Sequence, residues 1–98
     1  MIVATGSFIA KAEQMNESRL LSLEHAQRTR SEDGCLLFSF SVDAENPNRM
    51  VFIEYWRDMS ALRTHLKVFK CKQFAAEIEV LAESIEPLDI FEAQRLAS

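Results

Sequence analysis

The sequence predicts an α+β domain of the ferredoxin-like, split βαβ kind: a four-stranded antiparallel sheet with helices on one face. Three observations carry this expectation. The chain reads in the order strand, helix, strand, strand, helix pair, strand. Asp43-Ala-Glu-Asn-Pro-Asn48 joins two apolar runs through turn residues, which makes the middle strands an antiparallel hairpin. Finally, 98 residues fit a single domain, read as 1–98.

Each element has its own signal. Ile2 to Ala10 is rich in β-branched and small residues and ends at charge, as a first strand does. Gln14 to Ser31 is helical in pattern, with Asn16 or Ser18 as a cap and Met15, Leu20, Leu23 and Ala26 on one stripe expected to face the sheet. Asn16, Gln27 and Arg30 fall on that inward stripe, and His25 falls opposite it, at the expected surface. Asp33-Gly34 stops the helix. From Cys35 to Val42, Leu36, Phe38, Phe40 and Val42 share one face; Arg49 to Trp56 forms the partner strand. Asp58 can cap a helix that carries Leu62, Leu66 and Phe69. The stripe resumes out of phase as Phe74, Ile78, Leu81 and Ile85, which places a break near Lys70 to Lys72. Glu86-Pro87 ends the helix, and Leu88 to Ala93 reads as the last strand.

Composition excludes several classes. With 48% hydrophobic residues, two glycines and two prolines, the chain is neither disordered nor linker-rich. A formal charge of −4 argues against nucleic-acid binding, which needs a basic face. No apolar run is long enough to span a membrane, and Met1 to Gln14 lacks a basic leader region, so a cytoplasmic location is expected. Cys35 and Cys71 then read as reduced thiols. Lys70 and Lys72 would favour the Cys71 thiolate. The two cysteines and two histidines have no zinc-site spacing, so no metal is expected.

The third strand raises the question of what covers the sheet. Met50, Phe52, Glu54 and Trp56 point one way, while Val51, Ile53 and Tyr55 point the other. A strand apolar on both faces needs cover on both. Helices supply one side, and a second copy of the chain is the expected cover for the other, in a homodimer packed sheet to sheet.

The segment Ser31-Glu-Asp-Gly-Cys-Leu-Leu-Phe38, followed by Asp43 to Pro47, Phe52-Ile-Glu-Tyr-Trp-Arg-Asp58, Ala61-Leu-Arg-Thr-His65 and Phe74, resembles the antibiotic biosynthesis monooxygenase family. The resemblance runs from about Arg28 to Phe91. It implies a dimeric α+β barrel and, for some members, oxygenation of aromatic polyketides or hydroquinones without a cofactor. In the polyketide-oxidising relatives a strand-end tryptophan lines the pocket, and Trp56 takes that position; their asparagine, tyrosine and arginine fall on Phe52, Leu62 and Ala76. Haem-degrading relatives place a tryptophan and an axial histidine where this chain has His65 and Ala75, and their first-strand asparagine has no counterpart here.

The candidate catalytic residues are His65, Glu54 and Trp56. His65 borders the stripe of Leu62, Leu66 and Phe69, where it can be a satisfied core-edge imidazole or a general base. Glu54 faces the helices, where a carboxylate must be paired. It either meets Arg30 or, with a raised pKa, orients His65 or takes a substrate proton. Trp56 is a core aromatic whose indole N–H could hold a substrate oxygen. Phe38, Phe40, Phe52, Leu62, Leu66 and Phe69 are expected to wall a pocket for a small hydrophobic or aromatic ligand. The expected activity is cofactor-independent monooxygenation of an electron-rich phenol or hydroquinone. Two alternatives remain open: an isomerase of a small phosphorylated carbonyl compound, with Arg63, Lys67 and Lys70 holding the phosphate, and a non-catalytic ligand-binding stress-response dimer.

Overall fold

A computed structural model describes residues 1–97. The elements are β1 (Ile2–Ala10), α1 (Met15–Thr29) after one 3₁₀ turn, β2 (Cys35–Asp43), β3 (Asn46–Trp56), α2 (Met59–Lys67), α3 (Phe69–Leu81) and β4 (Ala82–Glu92). The sheet order is β2-β3-β1-β4 with every pairing antiparallel, the ferredoxin-like α+β arrangement. Ala4 pairs with Glu54, Gly6 with Phe52 and Phe8 with Met50, so these six residues share the face beneath the helices. Trp56, Met50 and Leu62 are the largest fully buried apolar side chains, each stabilising the fold by about 1.5–3 kcal/mol relative to an exposed position. No described helix is long and apolar enough to cross a membrane.

Two punctuation marks fall where the sequence puts them. The Asp58 side chain accepts the Ala61 backbone N–H at 2.9 Å and starts α2. Gly34 closes the turn after α1 at φ 82°, and a Cβ there would lie 2.5 Å from Ala61 Cβ. Both the conformation and the space require glycine.

The first helix is turned relative to its expected stripe. Ser18, Ser22, His25, Ala26 and Thr29 are buried, whereas Leu20 is 63% exposed and Leu23 also faces out. Asn16, Gln27 and Arg30 are exposed too. The reason is size. Residues 18, 22, 25 and 29 recur at helical spacing, and their mostly small side chains let the helix approach a sheet face already filled by Phe38 and Phe52. Leu36 also leaves its expected face: a register shift between Cys35 and Leu37 makes it the bulged residue, 58% exposed.

The end of the chain differs more. The break between the last two helices is at Val68, whose ψ of 134° is extended, rather than at Lys70 to Lys72. Strand β4 begins at Ala82, so Ile85 belongs to a strand and not to a helix. Pro87 sits inside β4, between the pairs Thr5–Asp89 and Ser7–Glu86, where the ladder shifts register. An edge strand at a bulge tolerates the missing N–H.

Candidate functional site

A cavity of about 270 Å³ lies between the sheet and the helices. Its floor is Gly6 to Phe8 and Phe52, its sides are Phe38, Phe74 and Ile78, and the β4 bulge at Pro87 and Leu88 forms one rim. Gly6 keeps this floor open, since a Cβ there would stand 3.1 Å from the Leu88 side chain. The polar groups that reach the cavity are few: Ser7, His25, Glu54, His65, Cys71 and, at the periphery, Glu79 and Glu86. An apolar chamber with a small convergent polar set is the usual form of a small-molecule site.

His65 stands in the last turn of α2 and is 2% exposed. Its Nδ1 lies 2.8 Å from Glu32 Oε1, on the turn after α1. A carboxylate at Nδ1 fixes the proton there and leaves Nε2 as the acceptor. Nε2 accepts the thiol of Cys71 at 3.5 Å. The ring stacks on Trp56 with centroids 4.8 Å apart and meets Phe38 edge-on at 6.0 Å. Four neighbours, Glu32, Cys71, Trp56 and Phe38, therefore hold the orientation of the imidazole.

Glu54 and Trp56 are two residues apart on β3 and so share a face. Trp56 Nε1 donates to Glu54 Oε1 at 2.9 Å. That bond takes the indole proton the sequence reading offered to a substrate oxygen. Trp56 is fully buried, backs the His65 ring and does not line the cavity. Glu54 does line it, and burial pushes its carboxyl above the ordinary range, with the Trp56 bond and the His65 charge opposing. Arg30 is not its partner: Arg30 is exposed and its Nε donates to the Phe38 carbonyl at 3.0 Å.

Two further residues, His25 and Cys71, line the cavity. His25 is buried and stacks flat on Phe74, centroids 4.1 Å apart, because α1 is turned toward the sheet. Burial, with the charges of His65 and Arg28, lowers its pKa to about 3, so it is neutral. Arg28 Nη2 donates to its Nδ1 at 2.6 Å. Cys71 is a thiol rather than the thiolate expected from its lysine neighbours: burial first, then the carboxylates of Glu54 and Glu32, push it up to about 11. Lys70 and Lys72 are exposed and do not offset this. Glu32 had no signal in sequence at all, since a glutamate in a polar turn looks like surface.

Of the six expected pocket residues, Phe38, Phe52 and Leu66 line the cavity. Leu62 is buried in the core behind it, and Phe40 borders a surface depression with Arg19, Leu20 and Leu23. Phe69 is 73% exposed, because the break precedes it and it opens α3 instead of extending α2. The basic residues Arg63, Lys67 and Lys70 are exposed and none borders the cavity.

Comparison with known proteins follows the same lines. The profile of the family described as antibiotic biosynthesis monooxygenase matches residues 1–77. A Deinococcus radiodurans crystal structure, described as an antibiotic biosynthesis monooxygenase candidate, superposes with a TM-score of 0.93 at 30% identity, covering 100% of this chain and 97% of that one. A second crystal structure described as an antibiotic biosynthesis monooxygenase gives 0.89 at 25% identity, covering 97% of this chain and 100% of that one. An uncharacterised Synechocystis protein, sll1783, is 35% identical over 66 residues, 67% of this chain; the chain spans 45% of that relative's length.

Proposed function

The chain belongs to the antibiotic biosynthesis monooxygenase family, and from that membership we propose that it oxygenates a small electron-rich aromatic, a phenol or hydroquinone, with O₂ and without a cofactor. One observation carries this reading: His65, its Nδ1 proton held by Glu32, turns an acceptor Nε2 toward an apolar cavity walled by phenylalanines. A phenol seated there displaces the long Cys71 S–H contact and gives its proton to Nε2, and the Glu32 carboxylate stabilises the imidazolium that forms. The phenolate, poorly solvated among aromatic walls, is a strong one-electron donor to O₂. For a phenol with a free para position, one oxygen atom becomes the new carbonyl of a quinone and the other leaves as water. Glu54, its pKa raised and its Oε1 held by Trp56, stands beside the cavity as a second proton acceptor.

The test is oxygen uptake by the purified protein with a panel of one- and two-ring phenols and hydroquinones. Stoichiometric quinone formation with one member is expected. Ligand binding across the panel without any oxygen consumption would leave a non-catalytic carrier instead.

The dimer forms part of the same proposal. On the sheet face away from the helices, Leu37, Tyr55, Val3 and Phe91 pair in turn and make one apolar row across all four strands. Ile53, 39% exposed, stands beside that row. A second copy would cover it with the same apolar residues, the arrangement of a two-fold homodimer contact. Sedimentation should give twice the 11.2 kDa chain mass. Ile53→Lys should shift the protein to a folded monomer; a wild-type monomer at high concentration would exclude the dimer.

A further inference from the structure

His25, His65 and Cys71 come from three different helices, yet one ligand atom of each lies within 4.8 Å of the others. A proton relay through His65 needs only one of the other two, so the convergence asks for another explanation. Tetrahedral zinc binds sulfur at about 2.3 Å and imidazole nitrogen at about 2.0–2.1 Å, which sets those two ligand atoms roughly 3.5 Å apart. Cys71 Sγ and His65 Nε2 are 3.5 Å apart. The second nitrogen of His65 is engaged by Glu32 at 2.8 Å, the carboxylate–histidine pairing that orients metal-bound imidazoles and raises their basicity.

Charge also balances. A Cys71 thiolate with Glu32 and Glu54 in their ionised forms makes three negative charges, which a divalent cation and the Arg28 guanidinium would neutralise.

We propose that His25, His65 and Cys71 form a binding site for a thiophilic divalent cation, Zn²⁺, with its fourth coordination position open to the cavity. Binding exchanges the Cys71 S–H bond for a metal–sulfur bond and releases one proton to solvent; no electrons move. His25 is the weakest of the three ligands: Arg28 donates to its Nδ1, so its ring proton sits on Nε2, and ligation breaks the Arg28 bond, either by taking Nδ1 or by shifting the ring proton onto it. The cation and a substrate proton both claim His65 Nε2, so Zn²⁺ is a competitive inhibitor of base-dependent turnover at this site. That consequence rests on the oxygenase reading, but metal binding does not.

Titration of the purified protein with Co²⁺, a spectroscopic substitute for Zn²⁺, tests the site without reference to activity. The expected result is a thiolate-to-cobalt charge-transfer band that saturates at one equivalent per chain and is bleached by Zn²⁺. Cys71→Ser should abolish the band and Cys35→Ser should leave it intact, while Glu32→Gln should weaken Zn²⁺ binding by about 10–100-fold. Zn²⁺ should also shield Cys71, and not Cys35, from alkylation. No charge-transfer band in the wild type, or a band that survives Cys71→Ser, overturns the proposal. Circular dichroism of each variant separates loss of the site from loss of the fold.

Discussion

Replacing His65 with alanine should lower oxygen uptake by about 10²–10⁴-fold, the usual contribution of a positioned base, or roughly 3–5 kcal/mol of barrier. The loss should appear in kcat more than in KM. The cavity walls Phe38, Phe52 and Phe74 stand on β2, β3 and α3 rather than on the helix that carries the imidazole. His65 is nevertheless packed on Trp56, so the variant will also lose some stability through the space left behind. Thermal unfolding measured alongside turnover separates the two effects. An unaltered kcat in a folded His65→Ala protein would move the proton acceptor to Glu54, the buried carboxyl of the chamber wall.

The second large effect is on stability as pH falls. His25 has a folded pKa of about 3 against an ordinary value of 6.5. Between those two values the unfolded chain binds a proton that the folded chain refuses. Stability is therefore complete above about pH 6.5 and is lost as pH drops toward 3, with a limiting slope of about 1.4 kcal/mol per pH unit from this one group. The groups facing it are His65 and Arg28, both of which oppose a charge on its ring, and the rings of Phe74 and Phe38, which exclude water from it. The ion-paired carboxylates Asp33 and Asp43 have lowered pKa values and lose their contributions only under more acidic conditions. Glu54, whose carboxyl burial pushes up, acts with the opposite sign as pH falls, so the histidine is isolated by comparing denaturant melts of wild type and variant between pH 7 and 5. His25→Gln, which keeps an acceptor for Arg28 and does not titrate, should flatten the slope in that window whatever its stability at pH 7. An equal slope in the variant would place His25 in a hydrated setting.

What was legible in the sequence follows from how local its cause is. Asp58 caps through its own neighbour three residues on, and β3 reveals itself by alternation, so the strand order, the hairpin and the inward face of Phe52, Glu54 and Trp56 could all be read. The direction of α1 could not. Its leucines make the stronger stripe by hydropathy, yet the sheet admits the smaller Ser18, Ser22 and Ala26, a matter of volume that only the packed neighbours decide. His25 was misplaced with it. Pro87 likewise hides a strand, because a proline at a bulge on an edge looks the same in one dimension as a proline that ends a helix. At the cavity, the place of His65 follows from α2, whose start and stripe the sequence displays. Its partners come from a turn and a separate helix, where sequence distance carries no sign of contact.

The single extended residue between α2 and α3 has a chemical consequence. Six residues along an unbroken helix turn a side chain through about 600°, or 240° beyond a full circle, and carry it about 9 Å up the axis. Residues 65 and 71 would then face apart. Val68, with ψ at 134°, resets that angle and folds the thiol back onto the imidazole. The Cys71–His65 distance is thus a direct gauge of one backbone torsion, and any event that straightens the joint uncouples the sulfur from the base without touching either of them.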